Sequence, residues 1–216
     1  MNIMDTRKLL LVCAALLIAV APAFCATTGP QNITIGSSLT NWSNTWLVNQ
    51  FDTSLGTLTG ITLDVSGDVS AILRLTNASS KNPSSGTANG GVTISVTGGG
   101  LTQTLDIATS SFNYSLAKSG TGSSSTLTGI NTANGVWTAS AILDAFKGTG
   151  TTTLNLSAVN FSDLHNVGGA TYISDDSEIN AGTTLSLVYT YTAVPEPTTI
   201  AILGIGALSI FRKKNK

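Results

Sequence analysis

The sequence predicts an all-β protein: an antiparallel β-sandwich, jelly-roll-like or Ig-like, with one short helix, flanked by an apolar segment at each end. Three observations carry this. Apolar and polar residues alternate with a period of two in many short segments, which is the pattern of half-buried strands. The 22 glycines have no three-residue repeat and cluster with Ser and Asn between those segments, as turns do. Only 10% of the 216 residues are charged, against about 25% in an ordinary soluble domain, so the wet faces must be built from Ser, Thr and Asn. About 170 residues remain between the terminal segments, enough for one domain with a sizeable core.

At the N-terminus Arg7 and Lys8 precede the unbroken apolar run Leu9 to Ala21 and a small-residue region, which reads as a secretory signal peptide over residues 1–25. Ala21 and Ala23 mark a cut after Ala23, and Ala23 and Cys25 a second after Cys25. A lipoprotein reading would acylate Cys25, but bulky Phe24 stands before it. Both cysteines, Cys13 and Cys25, lie in this segment, so disulfide, thiol and cysteine–metal chemistry are not expected in the body.

The body, 26–193, is read strand by strand. Trp42 and Trp46 are four apart and share a face if extended. Ile61, Leu63 and Val65, then Val69, Ala71, Leu73 and Leu75, alternate on either side of Ser66-Gly67-Asp68, which predicts a hairpin. Asn77 to Gly91 reads as a loop. Val92, Ile94 and Val96 form a strand that turns at Gly98-Gly99-Gly100 into Leu101 to Ile107, and Phe112, Tyr114 and Leu116 continue the pattern. Ala139 to Phe146 changes period, with Ile142, Leu143 and Phe146 clustered and Gly148 following, so a two-turn helix is expected there. Leu154, Leu156 and Ala158 resume strand alternation, Phe161 to Gly169 reads as a polar loop, and Leu185, Leu187, Tyr189 and Tyr191 make the clearest strand of all. The sum is eight to ten strands in two packed sheets. A β-solenoid is the structural rival, but no fixed repeat supports it.

Candidate sites are sparse. Between residues 26 and 194 four basic residues stand against nine acidic ones, with no basic patch, so nucleic acid is not an expected partner. His165 is the single histidine and has no G-x-S-x-G motif nearby. Asp175, Asp176 and Glu178 form the tightest acidic group; such hard oxygen ligands suit weak extracellular calcium, although EF-hand spacing is absent and a solvated loop is the simpler reading. Asp64 and Asp68 invite the same thought. No cofactor is expected. Trp42, Trp46 and Trp137 are candidates for stacking on a sugar, or else the largest pieces of the core. Asn32-Ile33-Thr34, Asn77-Ala78-Ser79 and Asn113-Tyr114-Ser115 match the Asn-x-Ser/Thr pattern, which chance supplies freely in so Asn-, Ser- and Thr-rich a chain.

At the C-terminus Val194-Pro195-Glu196-Pro197 leads into the apolar stretch 198–211, expected to form a hydrophobic transmembrane helix, and then Arg212-Lys213-Lys214-Asn215-Lys216. The stretch is shorter than the about 20 residues of a full span, and its basic end should stay cytoplasmic while the body lies outside. Motif, apolar segment and basic stop, in that order over 194–216, resemble a PEP-CTERM sorting signal, with Pro195, Glu196 and Pro197 as the motif and Arg212, Lys213 and Lys214 as the stop. The resemblance implies a membrane enzyme, an exosortase, as processing partner, transient insertion in the inner membrane, and delivery to the cell surface or extracellular matrix of an exopolysaccharide-producing Gram-negative bacterium. The body, from Phe51-Asp52-Thr53-Ser54-Leu55-Gly56-Thr57-Leu58 to Leu185-Ser186-Leu187-Val188-Tyr189-Thr190-Tyr191, resembles the choice-of-anchor E domain family, whose name implies no activity. The expectation is therefore a non-enzymatic exported surface or matrix protein associated with exopolysaccharide or biofilm. A carbohydrate-binding or adhesive module is the alternative, and a secreted hydrolase the third reading.

Overall fold

The computed structural model describes residues 24–169, 173–175 and 177–194; the predicted signal peptide, apart from its last two residues, and the sorting signal beyond Val194 lie outside them. Among the described residues thirteen strands and one short helix occur, and strand pairing is antiparallel except for one isolated bridge between Phe51 and Lys147. In one sheet β13 (Glu178–Ala193) and β4 (Gly56–Ile72) lie side by side with β10 (Leu127–Trp137) beyond β4. The far edge of β13 is shared by β1 (Cys25–Thr27) and β2 (Gln31–Leu39). The other sheet runs β3 (Trp42–Asn49), β11 (Thr151–Gly169) and β6 (Ser84–Gly98), with β7 (Leu101–Ala108) and β8 (Phe112–Leu116) dividing the last edge. A small third sheet, β12 (Ile173–Asp175), β5 (Arg74–Asn77) and β9 (Thr121–Ser123), caps one end.

The core is the sum of the inward parities. On β4 it takes Ile61, Leu63, Val65, Val69 and Ala71; on β13 Ile179, Ala181, Leu185, Leu187 and Tyr189; from the facing sheet Val92, Ile94, Val96, Leu154, Leu156 and Ala158, each buried. Full burial of a Leu or Ile side chain is worth about 1.5–3 kcal/mol, so these rows are what hold the two sheets face to face.

Three expectations are corrected. The hairpin at Ser66-Gly67-Asp68 does not exist: β4 runs straight through as one 17-residue strand. Gly67 is small because Ile94 and Ile107 of the opposite sheet reach down on it, a Cβ there lying 2.8 and 2.5 Å from their Cδ1 atoms. Ser84 to Gly91 is strand and not loop, because β11 pairs with all of it. Gly91 makes room for the Phe161 ring, and Gly86 for the backbone at His165. By the same pairing Phe161 to Gly169 belongs to the 19-residue β11.

Other elements follow expectation. The β6–β7 hairpin turns on Gly99 (φ 57°) and Gly100 (φ 85°), two consecutive left-handed positions that suit a type I′ turn. The helix α1 (Ser140–Asp144) is shorter than two turns and has no side-chain cap; buried Leu143 and the following Phe146 pin it to the core. After it, Gly148 at φ 141° donates its N–H to the Phe51 carbonyl at 3.0 Å.

Candidate functional site

The outward parity of each sheet carries the polar residues, and register turns them into transverse rows. On the β13–β4 sheet Asn32, Ser186, Asp64 and Asn134 form one row across four strands, and Thr34, Thr184, Ser66 and Thr132 the next. Neighbours within rows bond to each other: Asn134 Nδ2 donates to Asp64 Oδ1 at 2.5 Å, and the Thr34 and Thr184 hydroxyls are 3.3 Å apart. A shallow open hollow lies over this face, bounded by Ser66, Asp68, Ile130, Thr132 and Thr184. On the facing sheet Ser43, Ser157 and Ser95 make one row and Thr45, Asn155 and Thr97 another, again flooring an open hollow. Rows of hydroxyl, amide and occasional carboxylate groups can both donate and accept hydrogen bonds, the chemistry that meets neutral hydroxylated ligands. Sequence reading found the alternation but not these rows, because rows exist only once register is fixed.

Trp42 and Trp46 do share a face, and it is the inner one: Trp46 is 7% exposed, and half-buried Trp42 donates its ring N–H to the Ala181 carbonyl at 3.4 Å, tying β3 to β13. Trp137 is half-buried at the end of β10 with its ring folded over Gly135, where Gln103 of β7 also approaches. The structure therefore sets Trp42 and Trp46 together and Trp137 apart, on a different strand and sheet.

The acidic candidates are dispersed. Asp64 and Asp68 point from one continuous strand and stand about 13 Å apart along it, too far to share an ion. Glu178 lies beside Arg74, whose Nη1 donates to its carboxylate at 2.8 Å and holds its pKa below the ordinary value. Asp175 ends β12 opposite Leu75, and Asp176 lies outside the described residues. Among the described residues no three His, Cys, Asp or Glu side chains gather as a metal-ligand set. His165 is exposed on β11, opposite Thr87. Asn77, by contrast, is fully buried: its Nδ2 donates to the carbonyls of Asn82 and Ala117, and its Oδ1 accepts from Ser79 N, so its side chain is a structural tie and not a glycan acceptor.

At the end of the body where β13 finishes, Ala193 N donates to the Phe24 carbonyl at 3.0 Å and Val194 N to the Leu55 carbonyl at 3.1 Å. Leu55 closes the 3₁₀ turn Thr53–Leu55, capped by Asp52, whose Oδ1 accepts from Ser54 N at 2.9 Å; this bond holds the Asp52 carboxyl below the ordinary range. The chain thus leaves the body with its last residue tied down.

Residues 193–215 match the PEP-CTERM protein-sorting motif, so the C-terminus carries the signal that marks exosortase substrates. No curated protein matches the chain. Of solved structures, one titled for the infectious bursal disease virus Gx strain is 13% identical, over 80% of this chain and 43% of its own, with a TM-score of 0.14. A second, for the Gt strain, is 11% identical over 89% of this chain and 51% of its own, with a TM-score of 0.12. The chain spans about half or less of the length of these structures.

Proposed function

We propose that the protein is a non-enzymatic exported surface or matrix protein, held in the inner membrane by residues 198–211 with Arg212, Lys213 and Lys214 as the stop. In this reading an exosortase processes it at Pro195-Glu196-Pro197. The observation that carries the reading is the sorting motif at 193–215 beginning where the last strand ends, with no intervening linker. The body, with its resemblance to the choice-of-anchor E family, is then the cargo. Its rows of hydroxyls and amides suit an exopolysaccharide or biofilm setting, and its negative balance disfavours polyanionic partners. Signal-peptide cleavage after Ala23 fits better than after Cys25, because β1 begins at Cys25 and the Phe24 carbonyl bonds to Ala193. The test is the intact mass of the product from its native host with and without exosortase. A mass ending between Val194 and Pro197 only when the enzyme is present is expected, and an intact tail in both strains would refute the route.

A carbohydrate-binding role is the second reading, favoured by the Asn32–Ser186–Asp64–Asn134 and Thr34–Thr184–Ser66–Thr132 rows beside exposed Ile130, with half-buried Trp137 on the edge strand β10, and half-buried Trp42 and buried Trp46 on the edge strand β3 of the other sheet, as the stacking candidates. Calcium at Asp175, Asp176 and Glu178 is the weakest of these proposals, since Glu178 already has Arg74 as partner.

A further inference from the structure

Nine large apolar side chains are exposed among the described residues, and three of them, Phe24 (67%), Leu55 (46%) and Val194 (60%), are brought to one end of the body by two backbone hydrogen bonds. Phe24 O accepts from Ala193 N, Leu55 O accepts from Val194 N, and Gly56 lies against β13 so closely that a Cβ on it would fall 2.0 Å from the Thr192 carbonyl oxygen. Leu55 is backbone-bonded to Val194 and Phe24 to the adjacent Ala193, with Asp52, Thr53 and Ser54 preceding Leu55, and exposed apolar side chains collected at one end among polar residues suit an interaction surface.

The occupant follows from where the rest of the chain begins. Val194 to the start of the apolar stretch at Thr198 is four Cα steps, a reach of at most about 14 Å. The polar interface on each side of a bilayer's hydrocarbon is itself about 6 Å thick. With 198–211 in the membrane, Val194 and the Leu55 bonded to it are held within about 14 Å of the hydrocarbon, no more than about 8 Å beyond that interface. The N-terminal apolar run, Leu9 to Ala21, also meets the body here, at Phe24. We infer that Phe24, Leu55 and Val194 form a lipid-contact surface that seats this end of the body in the outer interface of the bilayer while the tail anchors it. No basic residue takes part, so the contact is apolar insertion and should not need anionic lipid. Cleavage at the sorting motif would then release a body that must leave the lipid as well as lose its anchor.

This inference rests on the anchored intermediate proposed above, and the experiment separates the two. The signal-cleaved, tail-retaining chain, from cells lacking exosortase, is reconstituted in neutral phosphatidylcholine vesicles containing brominated acyl chains. An environment-sensitive fluorophore is attached through Leu55→Cys in a Cys25→Ser background, or through Ile130→Cys as control. Position 130 is 85% exposed and lies on β10 opposite Asp68, thirteen residues, about 43 Å, beyond Leu55 along β4. The expected result is a blue-shifted emission at position 55, quenched severalfold more by brominated lipid than at position 130. Co-flotation with vesicles but equal, weak quenching at both positions would overturn the seating alone. A blue shift at 55 that brominated lipid leaves unquenched would also overturn it, by showing a protein contact in place of lipid. Failure to float with vesicles would overturn the anchoring and the seating together.

Discussion

Two glycines sit at the sandwich interface, one on each sheet, and they differ in how tightly the opposite sheet presses on them. Gly67 of β4 lies under the Cδ1 atoms of Ile107 and Ile94, at 2.5 and 2.8 Å from where its Cβ would be, with the Gly182 carbonyl at 3.3 Å. Gly90 of β6 lies under Leu73, just past the end of β4, and under Ile179 and Ala71 of the other sheet, at 3.1, 3.2 and 3.4 Å. Each sheet thus leaves a hollow that the other fills with branched side chains, but only the hollow in β4 is filled to the backbone. Interiors at crystal-like density tolerate no second occupant, so the largest effect belongs there. Gly67→Val should destabilise the tail-cleaved body by about 3 kcal/mol in urea unfolding. Ile94→Val removes one of the methyls concerned; alone it should cost about 1 kcal/mol. In a Gly67→Ala background it should cost at least about 0.5 kcal/mol less, a coupling that independent sites would not show.

These hollows explain which parts of the fold were legible in the sequence. Glycine carries two opposite messages, a turn or a missing side chain, and the letter does not say which. At Gly99 and Gly100 it means a turn, and the strands on either side were placed correctly. At Gly67, flanked by Ser66 and Asp68, turn chemistry suggested a hairpin where the structure has an unbroken strand. The available signal was parity: inward residues stay odd-numbered from Ile61 through Val69 to Leu75, which a continuous strand preserves without adjustment. The stretch Ser84 to Gly91 was lost for the same reason, its volume being supplied by Phe161, Leu73 and Ile179 from elsewhere. The sorting motif was legible because it is linear. The Asp64 and Thr184 rows were not, because they join residues more than a hundred positions apart through register alone.

At the Tyr189 end the interface takes in a phenol hydroxyl. The Tyr189 hydroxyl donates to the Asn49 carbonyl at 2.7 Å, and its ring meets Phe51 and Phe146 with centroids 6.0 and 6.4 Å away. Burial pushes its pKa up from 10.0 to about 12. Below pH 10 folded and unfolded forms both keep the proton and nothing changes. Between pH 10 and 12 the unfolded chain releases it while the folded chain holds it, so stability falls with rising pH, by about 1 kcal/mol at pH 11. In Tyr189→Phe that share of the alkaline slope should vanish; unfolding titrations of both proteins from pH 9 to 11 compare them directly. Equal slopes would mean that water reaches the hydroxyl and that this end is as open as an exposed face.

The smallest effect should come from the looser hollow. In Gly90→Ala the new methyl meets Leu73 Cδ2 and Ile179 Cδ1, both ends of flexible side chains, and the third contact, with Ala71, is of ordinary length. A displacement of a few tenths of an ångström relieves the first two. Against that small cost stands the stiffer unfolded chain, which favours Ala over Gly by about 0.4–1 kcal/mol where the native backbone permits it. Gly90 has no positive φ to forbid the change. The two terms nearly cancel, and the urea midpoint should move by the equivalent of no more than about 0.5 kcal/mol. A loss above about 2 kcal/mol would show Leu73 and Ile179 to be as immovable as the isoleucines over Gly67, and the two hollows to be equally tight despite their different distances.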